Sequence, residues 1–204
     1  MEGERGFFWL LGALASSALW YAVGSPEAWV LVIVESVFIN EGVRFLLWFV
    51  YARATQQQKF DSQNIRTPIK EELSLGAGMA AGRALIMCGS IIWEARGPGS
   101  FYLPSCRLLP LFLTASITTA LVSSMDVLWT VIAFEGYRTR AWLKIAFVLV
   151  AHTGSGSLSL LHTWEGPLLC WIAFAGQLTI LVISSYIALR AFREQLERSA
   201  NKKR

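Results

Sequence analysis

Six ionisable side chains, Glu35, Glu41, Arg44, Arg83, Asp126 and His152, stand inside stretches of sequence that are otherwise apolar. In a low-dielectric setting each is costly unless it is paired, so each is a candidate for function or for holding helices together. Glu41 and Arg44 are three residues apart, which makes them neighbours on one helix face and able to pair within it. The plainer reading of that pair is snorkelling near a helix end. Glu35 and Arg83 have no local partner and must meet charges or carbonyls on other helices. Asp126 lies on a stripe with Thr119, Ser123 and Thr130, at helical spacing, so its helix has one polar face. His152 is followed by Ser155, Gly156 and Ser159 at the third, fourth and seventh positions, a small polar face against which another element packs closely. A neutral, hydrogen-bonded imidazole satisfies such a setting. A histidine in a wet cavity would instead relay protons or contact a substrate.

Catalysis needs more than single polar residues. Thr153-Gly154-Ser155-Gly156-Ser157 loosely resembles the serine motif of rhomboid proteases, but the base must then come from a later helix, and the last apolar stretch holds no histidine. An intramembrane aspartyl protease shares a proton between two carboxylates in apposed spans. Here the two aspartates are Asp61, in a polar connection, and Asp126. No glycine-rich phosphate loop or H-E-x-x-H helix occurs. Cys88, Cys106 and Cys170 are scattered, with neither CxxC nor histidine spacing, and encode no metal site or disulfide framework. The residues assign no catalytic role, cofactor or metal.

The elements that must position these side chains follow from composition. Of 204 residues, 54% are hydrophobic and 16% charged, and the mean hydropathy is +0.48, too apolar for an ordinary soluble surface. A bilayer core of roughly 30 Å needs about 20 apolar residues per helical span. Six windows qualify, at residues 6–24, 29–51, 73–93, 108–134, 142–162 and 167–190. Backbone groups left unsatisfied in lipid are prohibitive, and windows of this length are helices, not barrel strands. The expected fold is a single all-α domain over 1–204, a polytopic transmembrane bundle of six spans, with a basic tail at 191–204. A signal-peptide reading of the first window fails because Trp20 and Tyr21 follow the small residues.

Lys and Arg fall unevenly among the connections. Residues 52–72 carry Arg53, Lys59, Arg66 and Lys70, residues 94–107 carry Arg96 and Arg107, residues 135–144 carry Arg138, Arg140 and Lys144, and the tail carries six from Arg190 onward. Residues 25–28 and 163–166 carry none. The positive-inside rule then places both termini in the cytoplasm. The net charge of +4 reports this topology and an affinity for anionic lipid, not for nucleic acid. Gly78 and Gly82 form a G-x-x-x-G pair in the third window, flanked by Gly76 and Gly89, a spacing that lets helix backbones approach.

In their order and spacing these features resemble the anterior pharynx-defective family, the Aph subunit of the gamma-secretase complex. Phe7-Phe8-Trp9-Leu10 with Ala15-Ser16 and Trp20 is similar to the second span of that family. Asn40-Glu41-Gly42-Val43-Arg44-Phe45 is similar to the Gln-Glu-x-x-Arg-Phe end of its third, and Gly78-Met79-Ala80-Ala81-Gly82 to the start of the glycine ladder in its fourth. Gly97-Pro98-Gly99, Phe112-Leu113-Thr114-Ala115, Trp129, Arg138, Trp142, Val150-Ala151-His152 and Trp164-Glu165 continue the likeness through later spans and loops. The family has seven spans and a lumenal N-terminus, so the resemblance implies that its first span has no counterpart among these six windows, through an incomplete or a divergent N-terminus. Ile86 stands where the ladder has a third glycine. Of two intramembrane histidines in the family, His152 matches the second, and the first falls at Met125 or Asp126.

The resemblance implies a non-catalytic scaffold of a gamma-secretase-type intramembrane aspartyl protease complex, supporting assembly, maturation and processing of membrane proteins, Notch signalling included. Its partners would be a presenilin-like catalytic subunit, a nicastrin-like subunit, a small Pen-type subunit and membrane lipid. It would reside in endoplasmic reticulum and Golgi membranes and in the plasma membrane or endosomes. Gly78 and Gly82 would make an assembly contact, and His152, Asp126, Glu41, Arg44 and Arg83 an intramembrane polar cluster. The alternative is a small transporter or channel in which Glu35, Arg83, Asp126 and His152 line an aqueous path. Internal repeats and broken helices, which usually mark such proteins, are not found in the sequence.

Overall fold

In a computed structural model, residues 14, 29–58, 68–94 and 101–201 are described. The first window, apart from Leu14, and the Gly97-Pro98-Gly99 turn lie outside the described residues. The rest is all-α: α1 (Trp29–Gln58), α2 (Pro68–Glu94), α3 (Leu111–Thr139), α4 (Trp142–Leu160), a 3₁₀ turn (Leu161–Thr163) and α5 (Pro167–Asn201). Pro68 and Pro167 open their helices, where the missing N–H is no loss and the fixed φ favours the first turn.

Three of these helices, α3, α4 with its 3₁₀ turn, and α5, are long and apolar enough to cross a membrane. Helices α1 and α2, at 30 and 27 residues, have the length. However, α1 carries Glu35, Glu41 and Arg44, and α2 carries Lys70, Glu71, Glu72 and Arg83. Apolarity alone therefore does not confirm six spans.

Helix α3 is the centre. It packs against α2 most extensively, then against α5 and α4, and touches α1. Its Val122, Met125, Trp129, Ile132 and Ala133 join Val148 and Ala151 of α4 and Ala188 of α5 in one core. Phe134, on the other side of α3, packs with Leu47 of α1 and Leu75 and Met79 of α2. Lipid tails are as apolar as these side chains, so the helices associate by close packing and polar bonds more than by escape from water. Gly76 shows how close that packing is. A Cβ there would lie 3.0 Å from the Val127 Cα and 3.1 Å from its carbonyl oxygen, and one turn on, Ser123 donates to the Ala80 carbonyl.

The turns are compact. Arg140 adopts φ 55° and ψ 32° after α3, and the Ala141 N–H returns to the Gly136 carbonyl at 2.9 Å, closing a left-handed helix cap. At the opposite end, residues 101–110 form a small loop closed by a Tyr102–Pro110 bridge and by the Leu111 N–H on the Phe101 carbonyl.

Two expectations change here. The cysteines do encode a crosslink, for Cys106 in this loop and Cys170 at the start of α5 form a disulfide across 64 residues of sequence. Folding brings their elements together, which no local spacing could announce. The basic tail expected at 191–204 begins as the last turns of α5, whose Ala188, Ala191 and Gln195 are buried against the bundle.

Gly76→Ala should lower the stability of the detergent-solubilised chain by about 1–3 kcal/mol, because its methyl would meet rigid backbone. Gly42→Ala, with open space at its Cβ, should leave the unfolding midpoint unchanged or raise it. Titration with a denaturing detergent checks both.

Candidate functional site

The five residues Glu41, Arg44, Arg83, Asp126 and His152 come from four helices and meet in one buried network. Glu41 and Arg44 pair along α1, one turn apart. The other arm of the Arg44 guanidinium reaches across to α3, where Nη2 donates to Asp126 Oδ1 at 3.1 Å. From α2, Arg83 Nε stands 2.7 Å from the second Asp126 oxygen, a charge contact whose angle falls short of a hydrogen bond. From α4, His152 Nδ1 lies 2.7 Å from Glu41 Oε1. With the imidazole neutral and Nδ1 donating, two carboxylates balance two guanidiniums, and the network carries no net charge.

Burial makes that balance obligatory. Arg44 is 0% exposed, Asp126 1% and His152 5%. Removing one partner from such a group leaves its counterion buried and unpaired, at a cost of about 3–5 kcal/mol. The helices place each side chain by simple periodicity. The Thr119, Ser123, Asp126 and Thr130 stripe faces inward, with Thr130 Oγ1 donating to the Asp126 carbonyl. Of Met125 and Asp126, only Asp126 meets the network, while Met125 sits in the apolar core. Trp129, one turn on, lies against the His152 ring with centroids 4.9 Å apart and donates from Nε1 to Ser184 Oγ of α5 at 3.0 Å. The small face after His152 receives α1 at Gly156, where a Cβ would lie 3.1 Å from Ile33, and α5 at Ser159, which accepts from Gln177.

Other singled-out residues stand apart from it. Glu35 is half-buried on α1 and forms no ion pair among the described residues. Gly78 and Gly82 are half-buried on α2. They lie two and six residues beyond Gly76 and so fall on another face than the one packed on α3. Ile86 is exposed.

Sequence reasoning missed a second cluster. Glu72 of α2 and Glu135 of α3 are both fully buried. Arg138 bridges them, pairing with Glu72 and, at 3.1 Å, with Glu135. Gln195 of α5 donates to both carboxylates, and Arg198 pairs with Glu135 at 2.8 Å. Glu135 and Arg138 at i and i+3 were the available signal. Near the Cys106–Cys170 bond, Ser105 donates to the His162 carbonyl and His162 Nδ1 is 3.3 Å from Cys106 Sγ. The ligand atoms of Cys106, His162 and Cys170 are close enough for a metal ion, but the disulfide uses both thiolates and leaves no ligand set.

Asp126→Asn should therefore lower stability by about 3 kcal/mol or more, whereas Met125→Leu, which conserves volume, should cost less than about 1.5 kcal/mol. Comparison of the two unfolding midpoints checks the assignment.

The sequence profile of a family described as "Aph-1 protein" matches residues 4–195. Among similar proteins, the gamma-secretase subunit APH1-like of Arabidopsis thaliana is 30% identical over 166 residues, 76% of this chain and 66% of that one. The gamma-secretase subunit Aph-1 of Drosophila melanogaster is 26% identical over 78% of this chain and 68% of its own length. For the human subunit APH-1B the figures are 23%, 87% and 71%. The chain thus spans about two thirds of the length of these relatives. A profile that runs through all five described helices, network residues included, leaves one conclusion: this chain belongs to the Aph-1 family.

Proposed function

We propose that the chain is a non-catalytic subunit of a gamma-secretase-type membrane protease complex, which it stabilises and whose presenilin-like, nicastrin-like and small Pen-type subunits it helps assemble. The relatives named above are themselves called gamma-secretase subunits. The observation that carries the scaffold reading is the use made of the ionisable groups. Asp126 is held by two arginines from two helices and, among the described residues, faces no second carboxylate with which to form a proton-sharing dyad. Glu72 and Glu135 approach one another through Gln195, but Arg138 pairs with both and Arg198 with Glu135. Side chains spent on one another support a rigid bundle, not a reaction.

In this reading His152, Asp126, Glu41, Arg44 and Arg83 lock four helices in register, and Gly78 and Gly82 offer a small-residue stripe to a further helix. Both ends of the chain face the cytoplasm, and the complex resides in endoplasmic reticulum, Golgi and later membranes. The disulfide supports that orientation. Disulfides persist in oxidising compartments, and Cys106 and Cys170 lie at the end of the bundle opposite the basic connections. The transporter reading, whose path Glu35, Arg83, Asp126 and His152 would line, loses ground because Asp126 and His152 are buried and all but Glu35 are paired with one another or with Arg44 and Glu41.

Affinity purification in mild detergent with mass spectrometry tests the proposal. Presenilin-like and nicastrin-like proteins should be recovered with the chain in near-stoichiometric amounts, and Gly78→Leu/Gly82→Leu should lose them. A chain recovered alone, or a double variant that assembles unchanged, would count against it.

A further inference from the structure

The outward face of α5 changes character near its C-terminal end. Leu178, Val182, Tyr186 and Leu189 follow one another at three- and four-residue spacing, and all are exposed. On the same ridge the helix then presents Arg190 and Arg193. These two arginines, with Tyr186 and Leu189, line a shallow cavity of about 180 Å³. Arg190 lies over the Tyr186 ring, 4.7 Å from its centroid, a stacking that holds the guanidinium against the helix. Neither arginine forms a salt bridge among the described residues. The nearby acid, Glu194, is engaged by Lys144 at 2.9 Å and by Arg198. Two arginines without a salt bridge among the described residues thus stand where an apolar, exposed ridge ends, although Arg190 is near enough to Glu194 for its charge to act there.

We propose that this is a binding site for one anionic phospholipid. The phosphodiester sits between Arg190 and Arg193, and an acyl chain lies along Tyr186, Val182 and Leu178. Charge complementarity argues for this occupant. Arginine donors suit phosphate oxygens, and the ridge continues from them in the direction an acyl chain takes from its headgroup. The end of α5 is also the end at which the basic connections cluster, where the leaflet is the anionic one. A zwitterionic lipid offers the same phosphate but no net charge, so it should bind more weakly.

Native mass spectrometry of the purified full-length chain, in detergent supplemented with palmitoyl-oleoyl phosphatidylserine or phosphatidylcholine, tests the site. One phosphatidylserine should be retained in preference to phosphatidylcholine, and Arg190→Gln/Arg193→Gln should weaken that retention roughly tenfold. Lys202→Gln/Lys203→Gln, which removes equal charge from the end of the chain, should leave it unchanged. Equal retention by wild type and Arg190→Gln/Arg193→Gln would overturn the proposal, as would equal loss in the lysine variant. Displacement of the lipid by inorganic phosphate alone would overturn it in favour of a free-anion site. Loss of co-purifying proteins from the arginine variant with lipid retention intact would assign this face to a protein partner instead.

Discussion

A charge buried among apolar helices must be neutralised where it stands, and the bundle is organised by that requirement. Asp126 on α3 meets Arg44 from α1 and Arg83 from α2, while Glu41 beside Arg44 meets His152 from α4. These contacts cross between four helices and are directional, so sliding or rotating one helix against another would break them. Dispersion packing between apolar faces is far less selective, since one leucine ridge fits many grooves. The ionic network therefore specifies register, and the close contacts at Gly76 and Gly156 consolidate the arrangement it specifies.

Helix α3 carries this organisation along its length. Asp126 and Glu135 are nine residues apart, about 14 Å along the axis, and each is the hub of its own cluster. The first ties α3 to α1, α2 and, through His152, α4. The second ties it to α2 and α5, with the Lys144 to Glu194 pair joining α4 to α5 nearby. At the other end the Cys106–Cys170 bond fixes the loop before α3 to the start of α5. In chain-entropy terms such a crosslink contributes about 2–4 kcal/mol. Ties at three depths hold α3 and the loop before it to the other described helices.

Much of this was legible in the sequence for one physical reason: polar residues are conspicuous against an apolar background. Glu41, Arg44, Arg83, Asp126 and His152 stood out individually, although periodicity alone could not say which would meet. Glu72 and Glu135 escaped notice because they lie near helix ends, where acids are expected to be solvated. The charges after Arg190 marked a basic tail, although the small residues Ala188 and Ala191 and the polar Gln195 already had the spacing of a buried stripe. In α2 the G-x-x-x-G spacing pointed to Gly78 and Gly82, while the contact with α3 falls on Gly76. Spacing reveals a smooth face, but which face meets which helix is set by tertiary packing. The disulfide depended on folding entirely.

The central claim is that charges on different helices are energetically coupled within the bundle. A double-mutant cycle on Arg44→Met and Asp126→Leu, read by unfolding of the detergent-solubilised chain, tests it most directly. The account predicts that the double variant loses less stability than the sum of the two single losses, by about 1 kcal/mol or more. Additive losses would mean that Arg44 and Asp126 act independently, and that the network does not hold the helices in register.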